Sequence, residues 1–412
     1  MELKPGYKMT EVGVIPEDWD LLLVSELANV DPENLSASTD PNFSFNYISL
    51  EQVDFGKLIG TFREVFRTAP SRARRVVRHD DILMSTVRPN LKAHLHFRSQ
   101  VSDTICSTGF AVLRAKPDAT DPAYIFAHLF ASPLNKQIEK TLAGSNYPAI
   151  NSRDVRELKI PVPPTIEEQR AIAQALSDVD ALLAALDKII AKKRDLKQAT
   201  MQQLLTGETR LPGFSGEWEV KRLEELAEIR SGGTPSTGEP SFWDGDIPWC
   251  TPTDITALNG HKYLRETSRL ITPLGLNASS AEMIPAQSVV MTSRATIGEC
   301  AINAVPLSTN QGFKNFIPFV KTDVDFLYYL LGTQKQGLIA LCGGSTFLEI
   351  GKTQLAAYEV RLPSTKAEQT AIATVLSEMD SELSVLESRR DKTRNIKQAM
   401  MQELLTGKTR LV

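Results

Sequence analysis

The sequence predicts two mixed α/β (α+β) heads, each followed by a long helix. The two helices are expected to pair as an antiparallel coiled coil about an internal pseudo-two-fold axis. Three observations carry this expectation. Residues 167–211 and 367–411 align at an offset of 200, without a gap, and 24 of the 45 positions are identical. Both stretches place apolar residues in heptad steps. Between them, over roughly 31–143 and 230–343, the halves diverge almost completely. One duplicated scaffold therefore carries two different heads.

Along the chain this gives a first head (1–164), a central helix (165–207), a second head (208–364) and a C-terminal helix (365–412). Weaker echoes extend the repeat. Glu17-Asp18-Trp19 resembles Glu217-Trp218, and Gly144–Ile150 matches Gly344–Ile350. Strand-like runs occur at Phe45–Leu50, Asp81–Val87 and Phe110–Leu113, and again at Ser288–Thr292 and Phe316–Val320. Short helices are expected at Pro122–Phe130 and Asp325–Leu331. Pattern alone does not order these pieces into sheets.

Prolines (Pro161, Pro163, Pro164; Pro363) block an earlier start to each long helix. Thr165 and Thr365 stand at the N-cap, with Glu168 and Glu368 three residues on in a capping-box pattern. The first stripe is Ile172, Leu176, Val179, Leu183 and Leu186; the second is Ile372, Leu376, Met379, Leu383 and Leu386. These residues are expected to form the helix seam. In the second copy the polar run Glu387–Lys392 interrupts the stripe. Gly207 and Gly407 supply the C-terminal stops. A helix of about 40 residues is about 60 Å long and cannot bury its stripe alone.

Composition excludes more than it suggests. The 412 residues carry a net charge of −4, so a histone-like polycation is ruled out. Four scattered cysteines show no C-x-x-C spacing, which fits a reducing cytosol better than a disulfide scaffold or zinc ribbon. The N-terminal stretch has no apolar signal-like region, and no apolar run has membrane-spanning length. A cytoplasmic protein without membrane contact is expected.

Catalytic patterns are weak. Gly351-Lys352-Thr353 resembles the end of a P-loop, but Thr346 occupies the position of its first glycine, and Gly407-Lys408-Thr409 fails likewise. Pro163-Pro164 is followed by Thr165, not by the aromatic residue that an amino-methyltransferase motif requires. His94 and His96 lack partners at ligand spacing, so no metal site is expected. Glu157-Leu158-Lys159 has a nuclease-like shape without a suitably placed aspartate. No catalytic residue is assigned.

Local charge is the stronger signal. From Lys57 to Arg98 ten Lys and Arg face only Glu64, Asp80 and Asp81, a surplus of +7. Within it Arg63, Arg72, Arg74, Arg75, Arg78, Arg88 and Lys92 mix with Ser85, Thr86 and Asn90. Arginine can take guanine bidentately, asparagine can take adenine, and hydroxyls and lysines anchor phosphates. In the second head Thr292, Ser293 and Arg294 echo Ser85, Thr86 and Arg88, and Lys314 adds a cation. The loop Ser231-Gly232-Gly233-Thr234 offers backbone amides and hydroxyls as a phosphate cradle. All of these are candidate DNA contacts; a solvated charged face is the plain alternative.

The layout resembles the DNA-specificity subunit of type I restriction-modification enzymes. The matching features are two variable regions, helices ending Gln202-Gln203-Leu204-Leu205-Thr206-Gly207 and Gln402-Glu403-Leu404-Leu405-Thr406-Gly407, and the Glu168-Gln169-x-x-Ile172-Ala173 start. The resemblance implies target-recognition domains, each reading one half of a bipartite, asymmetric double-stranded DNA site, with helices that set the unread spacer. It implies a subunit without catalytic residues that docks two adenine-N6 methyltransferase (modification) subunits and restriction/translocase subunits. S-adenosylmethionine would belong to the former, ATP and Mg to the latter, and no cofactor to this chain. A two-headed coiled-coil adaptor that binds proteins is the alternative from another class.

Overall fold

The computed structural model describes residues 5–142, 148–294, 296–342 and 349–411. The repeat elements Gly144–Tyr147 and Gly344–Leu348, and with them Thr346, lie outside the described residues. The chain divides into two compact units: Met1–Leu186 with Arg389–Val412, and Asp187–Ser388. Each unit thus joins one head to parts of both long helices, α1 (Ile166–Thr206) and α2 (Lys366–Leu404).

In the first unit a four-stranded sheet has the spatial order 95–96, 82–85, 110–115, 28–30. A second has the order 62–65, 44–48, 104–107, 73–77. Strand Ile82–Ser85 is covered on both faces, and its alternation shows why. Ile82 and Met84 enter a core with Trp19, Tyr124 and Ile172, whereas Leu83 enters a separate core with Val77, Cys106 and Phe110. The second unit repeats the scheme. Its main sheet runs 263–264, 300–303, 289–292, 313–318, 227–231, beside a three-stranded sheet of 269–271, 243–250 and 308–309. Val289 and Met291 face one core there and Val290 another. The two heads share a strand plan although their sequences diverge.

The expected strands form at Ser44–Ile48, Ile82–Ser85, Phe110–Ala115, Val289–Thr292 and Phe313–Pro318. The expected short helices form at Pro122–His128 and Val324–Thr333, where Asp121 and Asp323 cap the first turns through their carboxylates.

Both long helices start at their threonines. Thr165 Oγ1 accepts from the Glu168 amide at 3.3 Å and Thr365 Oγ1 from the Glu368 amide at 3.4 Å. The glutamate carboxylates, however, do not serve the cap. Glu368 takes a bidentate Arg210 at 2.6 and 2.7 Å, and Glu168 takes Arg410 in the same way. At the stops, Gly207 and Gly407 have φ of +73° and +68°. A Cβ on Gly407 would lie 2.5 Å from Pro16 Cγ, so the close approach also demands glycine there.

Within each unit the helix segments run antiparallel. In the first, Asp180 pairs with Lys397 at 2.6 Å and Glu168 with Arg410, so partner numbers fall as helix numbers rise. In the second, Glu368 pairs with Arg210, Asp380 with Lys197 and Glu382 with Lys193. The first two pairs of the second unit repeat those of the first at the offset of 200. Ile172 and Leu176 pack into the first head's core with Leu404 and Leu405; Ile372 and Leu376 do so in the second with Leu204 and Leu205. Further along, Leu186 and Leu383 are buried, while Val179, Leu183, Met379 and Leu386 are half-buried. The start of each stripe therefore serves its own head as well as the other helix. The polar run Glu387–Lys392 does not break α2, and Glu387 pairs with Arg194 across to α1.

Two histidines in the first head are held neutral by burial. His94 is pushed down to about 4 and His128 to about 3. His94 Nδ1 accepts from the Ser85 amide at 3.0 Å, which fits the neutral ring. Their folded values lie below the unfolded value of about 6.5, so the unfolded chain takes up protons first as pH falls. Stability should hold above pH 6.5 and fall steadily toward pH 4, by about 2 kcal/mol per histidine at pH 5. Urea midpoints from pH 7.5 to 5 should show this slope, and His128→Leu should flatten it.

Candidate nucleic-acid interface

The basic window of the first head splits into inward and outward groups. Arg75, on strand Ala73–Val77, is largely buried, forms an ion pair with Asp31 and donates to Ser152 Oγ at 3.2 Å. Arg78 donates to Glu33 at 2.7 Å, and Arg114 bridges Glu33 and Asp81. Burial raises the Glu33 carboxyl, but hydrogen bonds from Arg114 and Arg78 outweigh it and hold the group below the usual carboxylate range. Ser85 and Thr86 are buried, and their hydroxyls donate to Val87 O and Gly109 O at 2.8 Å. Arg75, Ser85 and Thr86 are thus internal fastenings of the head, each held by a partner within the fold.

Others point outward. Arg63 and Arg72 are exposed, and Arg74 lies over the Phe66 ring at 4.8 Å. Arg88 and Lys92 flank a short turn, Pro89–Leu91, and both take left-handed backbone conformations (φ +49° and +54°). Asn90 is exposed between them. Among the described residues, Arg63, Arg72, Arg74, Arg88 and Lys92 make no ion pair, and neither does Lys57. Positive charge not neutralised within the fold remains available to a polyanion.

The second head is differently equipped. The Gly232 and Gly233 amides already donate, to Phe313 O at 3.3 Å and Thr309 O at 2.9 Å. Thr234 bonds to Gln311. A Cβ would lie 1.9 Å from Asn310 O at Gly232 and 2.3 Å from the Ala281 amide at Gly233. The expected phosphate cradle at Ser231–Thr234 is instead a tight packing joint whose two glycine amides are occupied. Thr292 and Ser293 are fully buried. Lys314 is 5% exposed, and burial lowers its ammonium. Arg294 is half-exposed and pairs with Glu349 at 2.8 Å. Sequence reading missed Arg269, whose guanidinium stacks over Trp243 at 3.7 Å and Trp249 at 5.4 Å. No local pattern marks it: Arg269 lies 20 positions beyond Trp249, and strand pairing brings the two together.

Among the described residues no group of three or more His, Cys, Asp or Glu is placed to hold a metal ion. None of the described helices is long and apolar enough to cross a membrane. A family model described as the type I restriction modification DNA specificity domain matches residues 80–193 and 215–393, one match in each half. The chain belongs to this family. Sequence-specific DNA recognition is therefore its function. Among similar proteins, the MjaIX specificity subunit of Methanocaldococcus jannaschii is 39% identical over 175 residues, spanning 42% of this chain and 40% of that subunit. The putative MjaX specificity subunit of the same organism is 26% identical over 98% of this chain and 97% of its own length. In fold, the HsdS subunit of Thermoanaerobacter tengcongensis matches with TM-score 0.52 and 23% identity, covering 96% of this chain and 98% of that one. A chain solved in work on complex assembly and conformational transition of the type I R-M system matches with TM-score 0.63 and 23% identity, covering 96% and 99%.

Proposed function

We propose that this specificity-family chain reads a split, asymmetric double-stranded DNA target, one half per head. The observation that carries the reading is the set of unpaired cations on the first head, Arg63, Arg72, Arg88 and Lys92, on a chain whose net charge is −4. Heads with one strand plan but unlike surfaces suit two unlike half-sites. The paired helices dock two methyltransferase subunits, which bring S-adenosylmethionine; restriction/translocase subunits bring ATP and Mg, and the assembly works in the cytoplasm. This chain contributes recognition and no chemical step.

The test is affinity. With its methyltransferase partner the chain should bind its split target far more tightly than unrelated duplex, with strong salt dependence. Equal affinity for every sequence at physiological salt would contradict the reading. Arg88→Ala should weaken or relax the first half-site alone, by about 1–3 kcal/mol if the contact is to a base. Competition titrations with each half-site scrambled in turn would show it.

A further inference from the structure

The first head carries an apolar projection beside its cations. Strands Val53–Asp54 and Lys57–Leu58 form a hairpin whose two-residue turn is Phe55-Gly56, with φ of +40° and +88°. That turn type favours Asn, Asp or Gly at its first position, and a phenylalanine is strained there. Packing holds it in place: the Phe55 ring lies 5.0 Å from Phe130, and a Cβ on Gly56 would touch Phe126. Phe130 also meets the His94 ring at 5.6 Å, and Phe126 meets His96 at 5.7 Å. One aromatic cluster therefore seats both the hairpin and the segment that follows the Arg88–Lys92 turn.

Beyond this seat the side chains stand in solvent. Ile59 is 69% exposed, Phe62 54% and Leu91 62%, with Leu58 partly exposed beside them. Phe55, at the hairpin turn, is itself 58% exposed, and the other exposed large apolar side chains among the described residues of the first head are Met9 and Val101. No acidic residue interrupts Gly56–Arg63 or Val87–His96, and the two segments carry Lys57, Arg63, Arg88 and Lys92. Asp54 and Glu64 lie just outside the tip. A protein-binding patch would not need four unpaired cations around it. A duplex entered by apolar side chains, with phosphates on either side, needs this combination.

We propose that Ile59 and Phe62, supported by Leu91, form a wedge that enters a base step of the first half-site and partly unstacks it, while Lys57, Arg63 and Lys92 hold the flanking phosphates. The inference rests on the DNA-reading function above and adds a mechanism to it. The first head then selects its half-site partly by the ease with which one step deforms, at a position it need not contact by hydrogen bonds.

The experiment uses the full chain with its methyltransferase partner and duplexes carrying 2-aminopurine at successive positions of the first half-site, the methylated adenine excepted. Wild type should raise fluorescence at one step. Ile59→Ser/Phe62→Ser should abolish that rise and weaken binding by about 5–150-fold, the range for losing a stacking contact. A mismatch placed at the same step should restore much of that affinity, because the unstacking is already done. Discrimination at the second half-site should stay unchanged. Unaltered affinity in the variant, or no fluorescent step with wild type, overturns the wedge and leaves DNA reading intact. Failure of the variant to assemble with the methyltransferase assigns the patch to a protein and also overturns it. If wild type does not prefer the split target at all, the DNA-reading function itself fails.

Discussion

Leu405→Ala is expected to destabilise the first head by about 2–5 kcal/mol, although Leu405 lies 243 residues beyond that head's last strand, Lys159–Val162, in the sequence. The residue is 0% exposed and shares a core with Ile15, Trp19, Leu113 and Ile172. Truncation leaves a cavity that surrounding strands, tied into sheets, cannot close. Hydrogen exchange should report it locally. Strands Ile82–Ser85 and Phe110–Ala115 should lose protection while Val289–Thr292 keeps it. Leu205→Ala should give the converse, because Leu205 shares the second core with Trp218 and Val289. Equal loss in both units would show that the helix ends are not parts of separate cores.

Arg410→Ala is expected to cost about 3 kcal/mol, the low end for orphaning a buried charge. Glu168 is 3% exposed, and Arg410 is its bidentate partner; Asp18 takes the same guanidinium at 2.9 Å. The first turn of α1 favours a carboxylate and keeps the cost at that low end. Lysine should not substitute well, since it cannot make the fork. Arg410→Ala combined with Glu168→Gln should recover part of the loss, because the buried group is then neutral. Thermal melts of the two single variants and the double variant measure this coupling directly.

These contacts mark where sequence reading succeeds and where it stops. The caps at Thr165 and Thr365, the stops at Gly207 and Gly407 and the duplicated helices are local or periodic features, and local features are legible. Glu168 looked like half of a capping box because its spacing is right. Its carboxylate instead belongs to Arg410, 242 positions away, and no local pattern encodes that partner. The heptad stripe was legible as apolar, but not as divided between helix and head, since Ile172 and Leu176 satisfy either surface equally.

The candidate interface was legible in outline. A surplus of cations between Lys57 and Arg98 is visible in the sequence, and the outward Arg63, Arg72, Arg88 and Lys92 belong to it. What could not be read is which strand faces are covered. Strands buried on both sides lose the inside–outside alternation that would have flagged Ser85, Thr292 and Lys314 as internal, and Arg75 and Thr86 are held by Asp31 and Gly109, partners distant in the sequence. Gly232 and Gly233 looked like a cradle because glycines serve both phosphate loops and close packing, and only the neighbouring backbone of Asn310 and Ala281 tells them apart.

Genome-wide sequencing of methylated adenines, in a host expressing this chain with its methyltransferase partner, tests two-headed DNA reading most directly. The expected result is a pair of unlike short motifs separated by an unread gap of fixed length, with Arg88→Ala relaxing one motif and sparing the other. One continuous motif without a gap, or relaxation of both halves by Arg88→Ala, would contradict the account.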